Sequence, residues 1–289
     1  MSKIPSQNSN GVGLSALLFF LMFKFAQPLA AQPITPANDG TNTQITPTGD
    51  RYDILGGTVS TDGTNLFHSF EQFSLDTNQT ANFLVTPGLR NILSRVTGGD
   101  PSIINGLLQI TGGTPNLYLL NPAGIVFGQN ARLNIPADFT ATTATGIGFE
   151  NGIFNFFDPI NAATLNGQPL FLEFATSNPG AIINAGNLSM AENANLTLSG
   201  GTVINTGNID TSGGNINLVA VPGSSRLQIQ QDGTILRLEI DPPRNTNGNT
   251  LGFQVLDLPA LLTGPAANIT THLGISTTGE VQLTTSGAT

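Results

Sequence analysis

The sequence predicts an all-β protein and, within that class, a parallel β-helix. Apolar residues alternate with polar ones over short runs such as Leu196-Thr197-Leu198, and Gly, Asn, Asp and Ser separate these runs, as in strands joined by tight turns. Residues 183–188 also recur 21 residues later as residues 204–209, a period typical of one turn of a solenoid. A second echo joins residues 209–218 to residues 275–283.

A solenoid also explains the unusual composition. Only 9% of the 289 residues are charged, against about 25% in ordinary domains, and the chain holds 34 Gly and no Cys or Trp. Stacked coils bond to their neighbours through the backbone, while Gly and Asn take the bends and Asn side chains form ladders along the axis. At about 22 residues per coil, we expect about 12 coils, with Ile183, Ile204, Ile209 and Ile216 pointing inward. A β-sandwich, which requires regularly spaced hairpins, is the alternative.

Residues 1–31 are predicted to be a secretory signal peptide. Lys3 precedes an apolar run at residues 14–23, and small residues precede a cleavage point before Gln32. The run is too short to span a bilayer, which takes about 20 apolar residues, so we predict no transmembrane anchor; a short interfacial helix is the alternative. Cleavage would remove both lysines, Lys3 and Lys24, from a chain whose net charge is already -9. So acidic a surface repels phosphate backbones, and nucleic acid is not an expected partner.

Two later segments interrupt the regular alternation. Residues 150–174 carry five phenylalanines, more bulk than a narrow lumen absorbs, so we expect part of this segment to leave the coil and pack on its outside. Residues 226–240 have the alternation of a hairpin around Asp232-Gly233. The predicted domains are a signal peptide at 1–31, a β-helix domain at 32–200, and further coils at 201–289 with an extra-helical hairpin and loop near 226–258.

Several sequence blocks follow one another in a characteristic order. They are residues 92–99, 106–108, 116–128 and, in the run 65–75, the residues Asn65, Phe67, His68, Phe70, Gln72 and Phe73. These blocks and their spacing resemble the amino-terminal secretion domain of filamentous haemagglutinins and related two-partner secretion (TPS) exoproteins. The resemblance covers roughly residues 33–200.

The resemblance implies both a fold and a function. The fold is a right-handed β-helix with amino-terminal capping strands. The function is that of an exoprotein exported by Sec to the periplasm and passed through an outer-membrane β-barrel transporter, which recognises this domain with its periplasmic POTRA modules. We expect the protein outside the cell or on the surface of a Gram-negative-type bacterium. There it would act as an adhesin for a carbohydrate or protein of a host or cell surface.

The family signature Asn-Pro-Asn-Gly-Ile is altered at one position. It appears as Asn121, Pro122, Ala123, Gly124 and Ile125, with Ala in place of the second Asn. The proline fixes φ at about -65°, the glycine allows the left-handed conformation, and the asparagine amide caps the turn. The motif therefore predicts a rigid corner between two coils. A purely structural role and direct contact with the transporter are both consistent with it.

The sequence contains few groups suited to catalysis. His68 and His272 are the only histidines, and His68 lies in an apolar run, where a structural role is favoured over that of a base. Glu239 and Asp241 would share one face of a strand, as paired glycosidase carboxylates do, but their position before Pro242-Pro243 favours a solvated rim. We therefore expect no enzyme, no cofactor and no metal site. A β-helical polysaccharide lyase or hydrolase is the alternative.

Overall fold

The computed structural model describes residues 33–157, 161–221 and 223–229 in full, and the backbone of strands 235–240, 272–275 and 281–284. The predictions for residues 1–31 and for the loop at 241–258 concern residues outside these ranges. Within them, no helix has the length and apolar character needed to cross a membrane.

Short strands form nearly all the regular structure, because apolar and polar residues alternate with a period of two. The first thirteen strands are β1 (Ile34–Pro36), β2 (Thr43–Thr48), β3 (Arg51–Gly56), β4 (Thr58–Val59), β5 (Asn65–Phe73), β6 (Thr80–Leu84), β7 (Asn91–Val96), β8 (Ser102–Ile104), β9 (Leu107–Thr111), β10 (Asn116–Leu120), β11 (Ile125–Phe127), β12 (Arg132–Asn134) and β13 (Phe139–Thr142). They are followed by β14 (Gly146–Phe149), β15 (Gly152–Asn155), a 3-10 helix (Ala162–Thr164), β16 (Phe171–Phe174), β17 (Ala181–Asn184), β18 (Asn187–Ser189), β19 (Leu196–Gly200), β20 (Thr202–Asn205), β21 (Asn208–Asp210), β22 (Ile216–Ala220), β23 (Ser225–Ile229), β24 (Ile235–Ile240), β25 (His272–Ile275) and β26 (Val281–Thr284).

Three parallel sheets form the faces of a solenoid. The first face consists of β5, β7, β10, β13, β19 and β22, paired in that order. The second face consists of β8, β11, β17 and β20, and the third of β3, β6, β9 and β12. One coil takes 26 residues between Asn65 and Asn91 but only 20 between Asn195 and Asn215. The predicted parallel β-helix is thus confirmed.

The repeat found in the sequence corresponds to one coil. Asn184 is in register with Asn205, and Leu188 with Ile209. The second echo has a different basis, because β25 and β26 pair antiparallel with each other. The expected 12 coils are wrong for the described residues, where the first face has six parallel strands. The estimate assumed that every residue after 31 lies in a coil, whereas capping strands and an insertion occupy much of this length.

Antiparallel strands cap the amino-terminal end of the solenoid, as predicted. The edge strand β1 pairs with β5, and β2 pairs with β3. Pro36 lies in β1 and Pro47 in β2. Proline lacks a backbone N–H and is tolerated mainly in edge strands, where it discourages the addition of a further strand. These prolines therefore suit the end of the stack.

An antiparallel sheet lies outside the coil, in the order β15-β14-β16-β23-β24. Three of its strands, β14 to β16, lie between β13 and β17 in the chain, and the other two follow β22. The sheet confirms the expected excursion at 150–174 and the hairpin at 226–240, whose turn lies outside the described residues. Phe154 and Phe174 are buried beneath this sheet against the outer side of the first face. Of the other phenylalanines, Phe157 is 62% exposed. The first face is consequently buried on both sides, by the lumen core and by this extra-helical sheet.

A ladder of amides runs along one edge of the first face. Each coil donates a hydrogen bond to the coil before it, from Asn91 to Asn65, Asn116 to Asn91, the Asp138 backbone N–H to Asn116, Asn195 to Asp138 and Asn215 to Asn195, over 2.8–3.2 Å. Stacked amides of this kind satisfy their own polar groups. The ladder thus links six coils through side chains and one backbone N–H.

Two of the four isoleucines expected in the lumen point outward instead. Ile182 is fully buried in the lumen core, so its neighbour Ile183 lies on the outer side of β17, and Ile204, its register partner, does likewise. Ile209 packs against the lumen core as predicted. Ile216 continues the inward row of Leu196, although it is 45% exposed in the last described coil of this face. The repeat predicted the length of one coil but not which of two adjacent apolar residues points into the lumen.

Neighbouring isoleucines therefore allow a matched test of the solenoid. Ile182→Asp buries an unpaired carboxylate in the lumen and should lower the free energy of unfolding by several kcal/mol, about 3 or more. Ile183→Asp makes the same change on the outer side and should cost less than about 1 kcal/mol. Urea unfolding followed by circular dichroism measures both values. Equal losses would contradict the assigned orientation.

The ladder makes a second prediction. Asn91→Ala leaves both the Asn65 oxygen and the Asn116 amide without their partner in a buried setting, and should cost about 1–3 kcal/mol of stability. Asn215→Ala, at the exposed end of the same ladder, removes one bond and should cost less than about 1 kcal/mol. Chemical denaturation of the two variants gives the comparison. A larger loss for Asn215→Ala would argue against the ladder as a source of stability.

Candidate functional site

The corner motif forms a turn that its own residues stabilise. Asn121 follows β10, is fully buried, and accepts a bond from the Ala123 N–H through its side-chain oxygen at 3.0 Å. The Gly124 N–H donates to the Asn121 carbonyl at 3.0 Å, and Gly124 has φ of 127°, where a side chain is strained. Ile125 then begins β11 with its side chain fully buried. The local geometry is that of the rigid corner expected from the sequence.

The corner is clamped between two coils. In the preceding coil, the Asn121 amide donates to the Asp100 carbonyl at 3.0 Å and to Ser102 Oγ at 2.9 Å. In the following coil, Gly180 lies so close that an added Cβ would sit 2.5 Å from the Pro122 carbonyl oxygen. Since Gly180 is where the chain returns from the extra-helical sheet, this return rests directly on the corner. Pro122 and Ala123 are only half-buried and reach the surface.

The sequence block in the run 65–75, which forms β5, contributes to both cores. Phe67 points to the outer side, where its ring lies 5.0 Å from that of Phe154. Phe70 and Phe73 point into the lumen with their rings 5.0 Å apart. Gln72 is exposed, and Asn65 begins the amide ladder. The unbroken run of buried residues in β5 is thus the signature of a strand covered on both faces.

His68 lies inside the lumen, where its described neighbours include aromatic rings and a threonine. It is fully buried beside Phe70 and Phe83, and Thr43 Oγ1 is 3.4 Å from its Nδ1. Within the described residues Nε2 has no hydrogen-bond partner. Burial lowers the pKa of His68 to about 3, so the imidazole is neutral at physiological pH. This environment agrees with a structural histidine.

A narrow cleft beside the ladder contains a tyrosine and a carboxylate, two groups that enzymes use as acids or bases. Tyr118, Asp138, Thr140 and Thr197 line it. Burial, and to a smaller degree the charge of Asp138, raises the pKa of the Tyr118 phenol. Asp138 is the one carboxylate in the described lining, whereas glycoside hydrolysis uses a pair. The described residues also contain no cluster of three or more His, Asp or Glu suited to a metal ion.

The carboxylate pair considered in the sequence is only partly described. Glu239 lies in β24, in register with Arg226 of β23. Asp241 lies outside the described residues. The neighbouring Arg226 bonds to Glu173 Oε1 at 2.8 Å and lies 4.0 Å from the centre of the Phe171 ring.

A comparison with known protein families identifies the family of this chain. The sequence model of the TPS secretion domain matches residues 31–258, which is most of the chain. The chain belongs to this family. The TPS secretion domain is a domain of secreted exoproteins of Gram-negative bacteria.

Two solved structures of TPS secretion domains are similar to this chain. One is the HMW1 secretion domain from Haemophilus influenzae, with 23% identity and a TM-score of 0.49, covering 72% of this chain and 49% of that one. The other is the filamentous hemagglutinin secretion domain, with 15% identity and a TM-score of 0.43, covering 71% of this chain and 68% of that one. This TPS domain chain thus spans about half of the HMW1 structure. A search of curated protein sequences finds no match.

The structure also reveals residues of the TPS domain that sequence reasoning missed. Arg95 is 3% exposed and forms an ion pair with Asp39 at 2.8 Å. Burial opposes ionisation of Asp39, but hydrogen bonds from Ser69, Thr41 and Arg95 outweigh it and lower the pKa to about 2. A lone charge within the apolar run 92–96 was the available signal, because a charge there needs a buried partner.

Asp62 was missed as well. Its carboxylate accepts hydrogen bonds from Ser60 Oγ at 2.5 Å, from the Thr64 N–H at 3.1 Å and from the Gly167 N–H at 2.8 Å. Burial opposes ionisation, but these bonds outweigh it and hold the pKa of Asp62 well below its usual range. No local pattern predicts the contact with Gly167, since 105 residues separate the two.

The buried histidine predicts how stability depends on pH. Because the pKa of His68 is about 3 in the fold and about 6.5 in an unfolded chain, only the unfolded chain gains a proton as the pH falls below 6.5. The free energy of unfolding should therefore fall between pH 6.5 and pH 5, by at most about 1.4 kcal/mol per pH unit. Urea unfolding at several pH values measures the slope. His68→Gln should abolish it and His272→Gln should retain it; a slope that survives His68→Gln would refute this assignment.

Proposed function

We propose that residues 33–229 form the part of a TPS exoprotein that its outer-membrane transporter recognises, through the periplasmic POTRA modules of that transporter. Membership of the TPS family supports a transporter as the partner. The corner motif supports residues 121–125 as the site where the transporter contacts the chain. The single observation that carries the proposal is the division of the corner into a buried and a surface part. Asn121 and Gly124 are buried, whereas Pro122 and Ala123 reach the surface.

The buried and exposed residues of the corner therefore have different proposed roles, one in holding the turn and the other in contacting the transporter. Asn121 and Gly124 hold the turn through hydrogen bonds to the chain and contacts with the coils on either side. A transporter module that reads the corner has access to the ring of Pro122 and the side chain at position 123. Ala123 replaces the asparagine of the family signature, so we propose that this position adapts the corner to its own transporter.

Secretion assays with corner variants test the proposal. Gly124→Val places a β-branched side chain at positive φ, 3.2 Å from the Ala181 carbonyl, and should cost about 1–3 kcal/mol of stability together with secretion. Ala123→Lys leaves the turn intact and should lower the amount secreted by co-expressed transporter with unchanged stability. Ala123→Ser serves as the matched control and should be secreted normally. Normal secretion of Ala123→Lys would limit the corner to a structural role.

The exported protein is proposed to act as an adhesin. We propose that residues 1–31 direct it through Sec and that the solenoid presents a carbohydrate- or protein-binding surface outside the cell. The second and third faces, each with four parallel strands, support this role, because extended ligands can contact several coils at once. Purified protein should bind to glycan arrays or host-cell surfaces in a saturable manner. Release of soluble sugar from a polysaccharide substrate would instead favour the β-helical enzyme.

A further inference from the structure

The extra-helical segment, residues 143–180, is fastened to the amino-terminal part of the solenoid at two distant places. At one end, the Asn65 amide donates to the carbonyls of Leu165 and Gly167 at 3.1 and 2.9 Å, and Asp62 accepts from Gly167. At the other, Arg95 of β7 donates to the Asn155 carbonyl and lies 4.8 Å from the centre of the Phe154 ring. Asn65 is fully buried and Arg95 is 3% exposed, whereas the bond from Gly167 to Asp62 is exposed.

Arg95 also reaches a third part of the chain. We call residues 33–48, which contain β1 and β2, the N-terminal cap. Arg95 donates through Nη2 to Asp39 of the cap at 2.8 Å and through Nε to Ser69 of β5 at 3.1 Å. Its side chain is 4% exposed. One guanidinium therefore contacts the cap, the coil and the extra-helical segment at once.

We propose that Arg95 couples the N-terminal cap to the extra-helical segment. The cap then stays hydrogen-bonded to β5 only when that segment is packed on the coil. A guanidinium suits this role because its donors point in fixed, different directions while its flat face stacks on a ring. Loss of either partner leaves a buried charge incompletely paired, which is costly. The position of the segment is thereby transmitted to the cap, although β5 and β7 lie between them.

Amide hydrogen exchange in the full chain tests the coupling. The reporter is the Ala37 N–H of the cap, which donates to the Ser69 carbonyl at 3.0 Å. Phe154→Leu removes the ring beneath Arg95 and should speed Ala37 exchange about tenfold. Phe174→Leu shortens another buried phenylalanine of the same segment and should change it less than about twofold. The Asn208 N–H, bonded to Gly186 in a later coil, should be unaffected in both variants.

The decisive step repeats Phe154→Leu in an Arg95→Met background. There the change should no longer alter the exchange of Ala37 by more than about twofold. If Arg95→Met does not fold, Asp39→Asn breaks the same link from the cap side and is judged by the same criterion, with Asp53→Asn, paired at 2.7 Å to exposed Arg51, as its control. Equal effects of Phe154→Leu and Phe174→Leu on Ala37, or an effect of Phe154→Leu that persists without Arg95 or Asp39, would overturn the proposal.

Discussion

Close stacking of coils governs the rest of this structure. Every internal coil makes its backbone hydrogen bonds to the coils on either side, so the chain must turn each corner directly on top of the previous corner. At some positions the backbones of neighbouring corners meet too closely for a side chain. An added Cβ would collide with the neighbouring corner at several glycines, Gly98, Gly180, Gly201 and Gly207 among them. The family corner at residues 121–125 is one layer of this column, which explains why its asparagine and glycine are buried.

The sequence predicted the class of fold because stacking leaves a periodic trace. The 21-residue repeat corresponds to one coil, and the dense phenylalanines at 150–174 indicated a segment outside the lumen. Where two adjacent residues of a strand are both apolar, the sequence pattern does not show which side chain points into the lumen. Ile182 and Ile183 satisfy the same pattern, and only the structure, in which Ile182 packs in the lumen core, decides between them. The number of coils was overestimated for a related reason. The repeat length does not show how many residues lie outside the coils, in capping strands or in an insertion.

The candidate site was predicted in part. The corner geometry followed from proline, glycine and asparagine chemistry, and the structural histidine followed from its apolar neighbours. The contacts of Arg95 and Asp62 did not, because they join residues that are 56 and 105 positions apart in the sequence. The dense motif in β5 has a comparable explanation: the strand faces the lumen on one side and the extra-helical sheet on the other, so nearly every residue is selected for burial.

The insertion also divides the contacts of the domain into two classes by the length of chain they enclose. Neighbouring coils join residues about one coil apart, as with the 26 positions between Asn65 and Asn91, while the bond from Asn65 to Leu165 encloses 100. Loop-closure entropy makes the longer closure more costly by about 1.2 kcal/mol. We expect the coils to zip together first and the long closures to form last. Until then Phe67, Leu93 and Tyr118 present an uncovered apolar surface, which is the stage at which this chain is most prone to aggregate.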